Sequence, residues 1–145
     1  MLHKTVNYHL ISTINPGLSS VSLADGLATA GNATAIGMYS RAEAPYAVAI
    51  GTSAIAAMNN SIAIGCYLDT GKNGRGQVLL GRYNSPLAGA DDNYQNGAVL
   101  VVGNGSNKER KNGLIVWSDG RVTAGADPTD NKDLVTKEYL DNKMD

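Results

Sequence analysis

Hydrophobic and polar residues alternate in short segments that recur at a fixed interval along the chain. The segments ATAIG, AVAIG and SIAIG end at Gly37, Gly51 and Gly65, fourteen residues apart. A period of two predicts β-strands whose successive side chains point to opposite faces. The segments QVLLG and VLVVG end at Gly81 and Gly103, after intervals of sixteen and twenty-two residues. We interpret them as the same strand position with two and eight residues inserted in the return path.

Each fourteen-residue interval has room for one coil of a thin β-solenoid. Two strands of about five residues and two tight turns account for its length. One face of the repeated strand carries alanine, and the other carries isoleucine or leucine. The interior of so thin a coil accepts only small side chains, so the large ones must lie outside. The predicted outer column consists of Ile36, Ile50, Ile64 and Leu80.

This outer column predicts an oligomer. A soluble monomer rarely tolerates a continuous apolar stripe on its surface. Identical copies packed about an axis would bury the stripe, and three-fold closure suits a narrow ladder. The sequence therefore predicts a homotrimer whose axis is lined by this column.

The segment after the repeats predicts antiparallel strands. GAVLVVGNG, LIVWS and RVTAG form a three-stranded meander within residues 97–126. Between the last two strands, Asp119 and Gly120 predict a two-residue hairpin turn in which both residues have positive φ.

The charged end of the chain predicts a helix. Pro128 suits a first helical turn, with Asp127 and Thr129 as candidate caps. The segment DNKDLVTKEYLDNK predicts a short helix from Asp130 to Lys143, which would associate with its copies in the trimer. The predicted organisation is an N-terminal segment (1–20), a β-roll with surface insertions (21–96), the meander (97–126) and the C-terminal helix (127–145).

Composition excludes several functions. The chain has 12 Lys and Arg against 13 Asp and Glu, so no nucleic acid partner held by bulk charge is expected. The single cysteine, Cys66, excludes an internal disulfide framework and a multi-cysteine zinc site. His3 and His9 offer too few ligands for a metal, and no cofactor is expected. No segment approaches the ~20 apolar residues of a membrane helix, and MLHKTVNYHL lacks the apolar core of a secretion signal.

Polar loops carry the candidate recognition residues. They occupy residues 66–76, 82–96 and 104–112. Tyrosines on loops can stack on sugar rings, and basic residues can contact an anionic surface polymer. The alternative is that the tyrosines cap the coil edges or pack between subunits, and that the charges are solvated. The candidates are Tyr67, Lys72, Arg75, Tyr83, Asp91, Asp92, Tyr94, Lys108 and Arg110.

Paired carboxylates raise the possibility of glycoside hydrolysis. Asp91 and Asp92 are adjacent, and adjacent residues on one strand point apart. Catalysis would require Asp69, Asp92 or Glu109 to converge from different subunits. We favour solvated loops, and we expect no catalytic residues.

The repeats ATAIG, AVAIG and SIAIG resemble the head repeats of trimeric autotransporter adhesins, which form a left-handed parallel β-roll trimer. GQVLLGRYN, VLVVGNGSNKERKNGLIVWSDGRV and DPTDNKDLVTKEYLDNK resemble modules of phage tail-fibre, tailspike and appendage proteins. Together the resemblances cover about residues 21–143. They imply an all-β fold, in which a homotrimeric left-handed parallel β-roll precedes a β-meander and a short C-terminal α-helix.

The resemblance implies a structural and recognition protein of a phage tail fibre. Such a protein is assembled in the host cytoplasm, resides in the virion and attaches to a bacterial surface glycan or protein. Its other partners would be further copies of itself and neighbouring tail-fibre segments. An autotransporter needs a secretion signal, a stalk and a membrane anchor, which we do not find in this sequence. The alternatives are the head of a bacterial trimeric adhesin and a polysaccharide-degrading tailspike with carboxylates at its subunit interfaces.

Overall fold

The computed structural model describes residues 19–144 as a mostly β molecule. A parallel β-solenoid of about four turns with 14-residue coils comes first, and antiparallel strands and a short helix follow it. Most of the predicted N-terminal segment, with His3 and His9, lies outside the described residues. The elements are β1 (Val21–Leu23), β2 (Leu27–Ala28), β3 (Thr34–Ile36), β4 (Arg41–Ala42), β5 (Val48–Thr52), β6 (Ile55–Ala56), β7 (Ile62–Cys66), β8 (Val78–Arg82), β9 (Ala98–Asn104), β10 (Asn112–Trp117), β11 (Val122–Ala124) and α1 (Lys137–Met144).

Eight strands form the main sheet, in the order β1-β3-β5-β7-β8-β9-β10-β11. The first six are parallel, and the pairs β9–β10 and β10–β11 are antiparallel. Gly65 pairs with Gly81, which pairs in turn with Gly103, so the longer intervals preserve the strand register. The prediction of one repeated strand with insertions in its return path is confirmed.

Alanines fill the interior of the solenoid. Ala35, Ala49 and Ala63 stack in one column and are each 0% exposed. Leu79 and Val101 continue this column and are also fully buried. The interior therefore widens along the chain, as the change from small to large side chains predicts.

The return strands form a small sheet of three, in the order β2-β4-β6. Each has two residues, so the prediction of two five-residue strands per coil is wrong for the return path. The second residue of each, Ala28, Ala42 or Ala56, is buried against the main sheet. Corners rather than strands take up the remaining length of each coil.

One of these corners is built from left-handed residues other than glycine. Each of these residues lies two positions after the glycine of the repeated strand, and the N–H groups of Ser53, Tyr67 and Tyr83 donate to carbonyls of the preceding coil. The Ser53 amide donates to Met38 over 2.9 Å, and the Tyr67 amide to Thr52 over 2.8 Å. This ladder stabilises a conformation that L-residues otherwise avoid. The φ angles are 59° at Tyr39, 52° at Ser53, 54° at Tyr67 and 43° at Tyr83.

The hairpin after β10 differs from the predicted two-residue turn. The Trp117 amide donates to the Arg121 carbonyl over 2.9 Å, and the Gly120 amide to the Trp117 carbonyl over 3.0 Å. Gly120 has a φ of 86°, whereas Asp119 is not left-handed. The connection is a three-residue loop that ends in a left-handed glycine, and this loop also satisfies the strand twist.

The C-terminal helix begins at Lys137 rather than at Asp130, so the predicted start is wrong. The Asp133 carboxylate instead accepts the Thr129 and Asp130 amides, each over 2.8 Å, and holds a turn there. Thr136 caps the observed helix, because its hydroxyl accepts the Tyr139 amide over 3.1 Å. The helix has no buried residue.

Candidate functional site

The largest candidate site is the outer face of the main sheet. Two rows of side chains cross all eight strands on this face, and nearly every member is apolar. They are Val21, Thr34, Val48, Ile62, Val78, Leu100, Val116 and Val122 in the first row, and Leu23, Ile36, Ile50, Ile64, Leu80, Val102, Leu114 and Ala124 in the second.

The outer face is comparable in size to the largest apolar patch on a typical monomeric protein. Strands about 4.8 Å apart extend the two rows over roughly 34 Å, and each row covers about 7 Å along the strands, which gives about 480 Å². All sixteen side chains are at least partly exposed, and Ile64 and Leu80 are 41% and 39% exposed. A patch of this size is often functional. The predicted axis residues Ile36, Ile50, Ile64 and Leu80 all lie in the second row.

The structure brings three of the predicted recognition residues together where β7 and β8 end. The Tyr67 and Tyr83 rings stack with centroids 4.6 Å apart and planes 13° apart. Arg110 reaches this corner and donates to the Tyr67 carbonyl over 2.9 Å and to the Asn84 carbonyl over 3.0 Å. Desolvation, followed by the neighbouring Tyr67, raises the pKa of the Tyr83 hydroxyl. The corner presents a fixed pair of aromatic rings, with Tyr67 exposed.

A second cluster lies at the opposite ends of the strands. Arg75 forms an ion pair with Asp92, and its guanidinium carbon lies 5.6 Å from the centre of the Tyr94 ring. The hydrogen bond to Tyr94, followed by the charge of Asp92, raises the pKa of Arg75. These predicted recognition residues are therefore bound to one another. Their contacts fasten loop 91–96 to the preceding insertion.

Asp91 orders the same loop from within. Its carboxylate accepts the Asn93 amide over 2.9 Å, the Gln95 amide over 3.0 Å and the Asn96 side-chain amide over 3.0 Å. The Gln95 amide and the Asn96 side chain are the main causes that lower the pKa of Asp91. The role of Asp91 in this structure is to shape the loop.

A cavity of about 520 Å³ lies between this loop and the β10–β11 hairpin. Two hydrogen bonds between Gly97 and Ser118 join the loop to the hairpin. The Ser118 amide donates to the Gly97 carbonyl over 2.9 Å, and the Gly97 amide donates to the Ser118 hydroxyl over 3.2 Å. The lining residues are Gln95, Asn96, Gly97, Trp117, Ser118, Asp119 and Arg121.

The structure does not bring the other candidates into these clusters. Lys72 and Lys108 are exposed on separate loops. The carboxylates considered for catalysis each have a partner in their own chain: Asp69 accepts the Gly71 amide, and Glu109 pairs with Lys111 at 3.2 Å. Within residues 19–144, no three His, Cys, Asp or Glu side chains form a group that could hold a metal.

The residues that line the cavity were absent from the sequence-based candidates. Gln95 and Asn96 are far in sequence from the hairpin residues Trp117, Asp119 and Arg121, and neither group forms a recognised motif. The available signal was the chain's single tryptophan beside an Asp-Gly hairpin turn. Such a position puts an indole close to a loop, where it can reach a ligand.

Comparison with known proteins leaves the fold as the only assignment. No protein-family model matches the chain, and no curated protein or solved structure matches it. Among the helices that the structure describes, none has the length and apolar character required to cross a membrane. The chain is a β-solenoid protein.

Proposed function

We propose that the protein is a homotrimeric attachment module of the kind found in phage tail fibres, and that it binds a bacterial cell-surface glycan or protein. The observation that carries this proposal is the outer face of the main sheet. Its two apolar rows cross eight strands without interruption by a charged residue. Three copies of this face can pack around one axis and remove all three from water.

The C-terminal helix supports assembly from the same copies. Leu140 and Met144 are 49% and 75% exposed, and the helix buries no side chain within its own chain. An eight-residue helix is too short to be stable alone in water. Packing against the equivalent helices of two further subunits would supply the missing contacts.

The recognition surfaces remain open in such an assembly. The Tyr67–Tyr83 corner follows the ends of β7 and β8, and loop 91–96 precedes β9. Neither belongs to the outer face. A trimer would present three copies of each surface, and simultaneous weak contacts can raise the overall affinity by a factor of about 100 or more. This multivalency, together with the resemblance to tail-fibre modules, supports attachment.

The decisive experiment compares two identical substitutions on opposite sheets. Ile50→Asp places a charge in the outer face, whereas Ile55→Asp places one on the exposed side of β6; both isoleucines are partly exposed in the single chain. Three unpaired charges around an axis each cost several kcal/mol, so we expect Ile50→Asp to be monomeric and Ile55→Asp to remain trimeric. Light scattering measures the stoichiometry.

Attachment is tested with the same proteins. Fluorescently labelled wild type should bind to host bacteria at least about 100-fold more tightly than the monomeric variant. A wild-type monomer in dilute buffer, or a trimer that survives Ile50→Asp, would contradict the proposed axis. Equal cell binding by monomer and trimer would contradict the multivalent mechanism.

A further inference from the structure

The geometry points to a binding site for a neutral sugar unit in the cavity between loop 91–97 and the β10–β11 hairpin. The seven lining residues belong to these two segments and to neither row of the outer face. This inference rests on the proposed attachment function, for which it names the ligand class and the residues that contact it. The site is distinct from the Tyr67–Tyr83 corner.

The cavity is held open by its own walls. Asp91 fixes loop 91–96 through three hydrogen bonds, and Arg75 fastens it from outside through Asp92 and Tyr94. The Gly97–Ser118 pair of hydrogen bonds sets the distance between the loop and the hairpin. A pre-formed cavity loses less conformational entropy on binding, which matters most for a small ligand.

The side chains in the cavity suit hydroxyl groups. Gln95 and Asn96 carry amides, and an amide can donate one hydrogen bond and accept another from adjacent hydroxyls. The Ser118 hydroxyl accepts the Gly97 amide, which leaves its own proton to donate. Sugars are the common metabolites that present several hydroxyls on neighbouring carbons.

The charge of the cavity favours a neutral ligand. Its two charged side chains, Asp119 and Arg121, pair with each other at 2.7 Å, and the resulting hydrogen bonds lower the pKa of Asp119. The Arg121 guanidinium carbon lies 5.3 Å from the Trp117 ring centre, so the pair is anchored on the indole. The lining therefore has no net charge, and an anion would meet the Asp119 carboxylate.

The volume is appropriate for this ligand class. Small-molecule sites usually enclose about 300–1,000 Å³. The 520 Å³ here is enough for one or two pyranose rings. A glycan could continue out of the cavity, because its lining residues Gln95 and Asn96 are themselves exposed.

Trp117 provides the readout, because it is the only tryptophan of the chain. Its emission is followed while the full-length protein is titrated separately with glucose, galactose, mannose and N-acetylglucosamine. Each titration extends to about 100 mM, a hundredfold above a Kd of about 1 mM. We expect a saturable change with at least one of these sugars and no saturable change with inorganic phosphate.

Two variants in one loop locate the site. Gln95→Ala removes an amide that lines the cavity, while the backbone groups of Gln95 that bond to Asp91 remain. The loss of one hydrogen bond should weaken sugar binding about fivefold. Asn93→Ala is the matched control, since Asn93 lies in the same loop but does not line the cavity. Its affinity should equal that of the wild type.

The outcomes separate this inference from the proposed function. No saturable response to any of the four sugars, an unchanged Kd in Gln95→Ala, or saturation by phosphate alone would overturn the sugar site. Light scattering on the same samples reports the assembly. A trimer that binds no sugar would contradict the sugar site and leave the trimeric assembly standing. A monomer that binds sugar would contradict the trimeric assembly and leave the sugar site standing.

Discussion

Replacement of Gly51 by alanine tests how closely the coils approach one another. Gly51 belongs to the column of glycines near the ends of the repeated strands, and its φ is 125°. A Cβ at this position would lie 1.9 Å from the Gly65 carbonyl oxygen and 2.9 Å from its carbon. Both atoms belong to the backbone of the next coil. The substitution therefore pushes two coils apart rather than displacing a flexible side chain.

The loss of stability caused by Gly51→Ala follows from how far the Gly65 oxygen must move away from the added Cβ. To reach the 3.0 Å that real Cβ contacts observe, the Gly65 oxygen must retreat by about 1 Å. This displacement would break roughly three hydrogen bonds between β5 and β7, at about 1 kcal/mol each. The unfavourable φ of an alanine at this position adds about 1 kcal/mol. The total, about 4 kcal/mol, is a large part of the stability of an ordinary domain.

Gly120→Ala is the matched control. Gly120 has a φ of 86°, and nothing lies within 4 Å of an added Cβ, so only the backbone conformation is unfavourable. Denaturant unfolding followed by circular dichroism, at one fixed protein concentration, should show a loss of about 4 kcal/mol for Gly51→Ala and about 1 kcal/mol for Gly120→Ala. If the two losses agreed within about 0.5 kcal/mol, the close approach of the coils would be refuted.

Two further predictions concern the coil interior and the cavity wall. Ala49→Leu overfills an interior where Ala35, Ala49 and Ala63 are 0% exposed, and should lower the free energy of unfolding by about 3 kcal/mol; a loss below about 1 kcal/mol would contradict the packing. The hydrogen bonds to Asp91 lower the pKa of its carboxylate below 3.8. They therefore stabilise loop 91–96 above pH 3.8, and this stabilisation is lost as the pH falls through the pKa that Asp91 has in the folded protein. The Asn93 and Gln95 amide shifts, measured by NMR, should titrate with a midpoint below 3.8 and should not titrate in Asp91→Asn; a midpoint at or above 3.8 would contradict the bonding.

The repeated strand could be predicted from sequence because its physical cause is local. Alternation within ATAIG and its relatives defines the two faces, and the recurrence of glycine defines the register. The strands that contain Gly81 and Gly103 could also be predicted from sequence, because an insertion in the return path leaves the strand pattern intact. The outer rows are a direct consequence of the same alternation.

The corners and the cavity depend on tertiary contacts, which the sequence pattern does not contain. Tyrosine has no intrinsic preference for positive φ, and Tyr67 adopts it where its N–H donates to the Thr52 carbonyl of the preceding coil. The helix start at Lys137 depends on two local hydrogen-bonded turns, one held by the Asp133 carboxylate and one capped by Thr136, which propensity alone does not rank. The cavity arises where β9–β10 pairing brings loop 91–97 beside a hairpin distant in sequence.

The uniform register of the glycine column makes the length of the solenoid independent of the length of its return paths. Addition or removal of one whole fourteen-residue coil would lengthen or shorten the solenoid by about 4.8 Å and leave the neighbouring strands in register. The return paths, by contrast, already differ in length without a change in the register of the main-sheet strands. Evolution or an engineer could thus change the length of the solenoid in fixed increments and change its return loops independently.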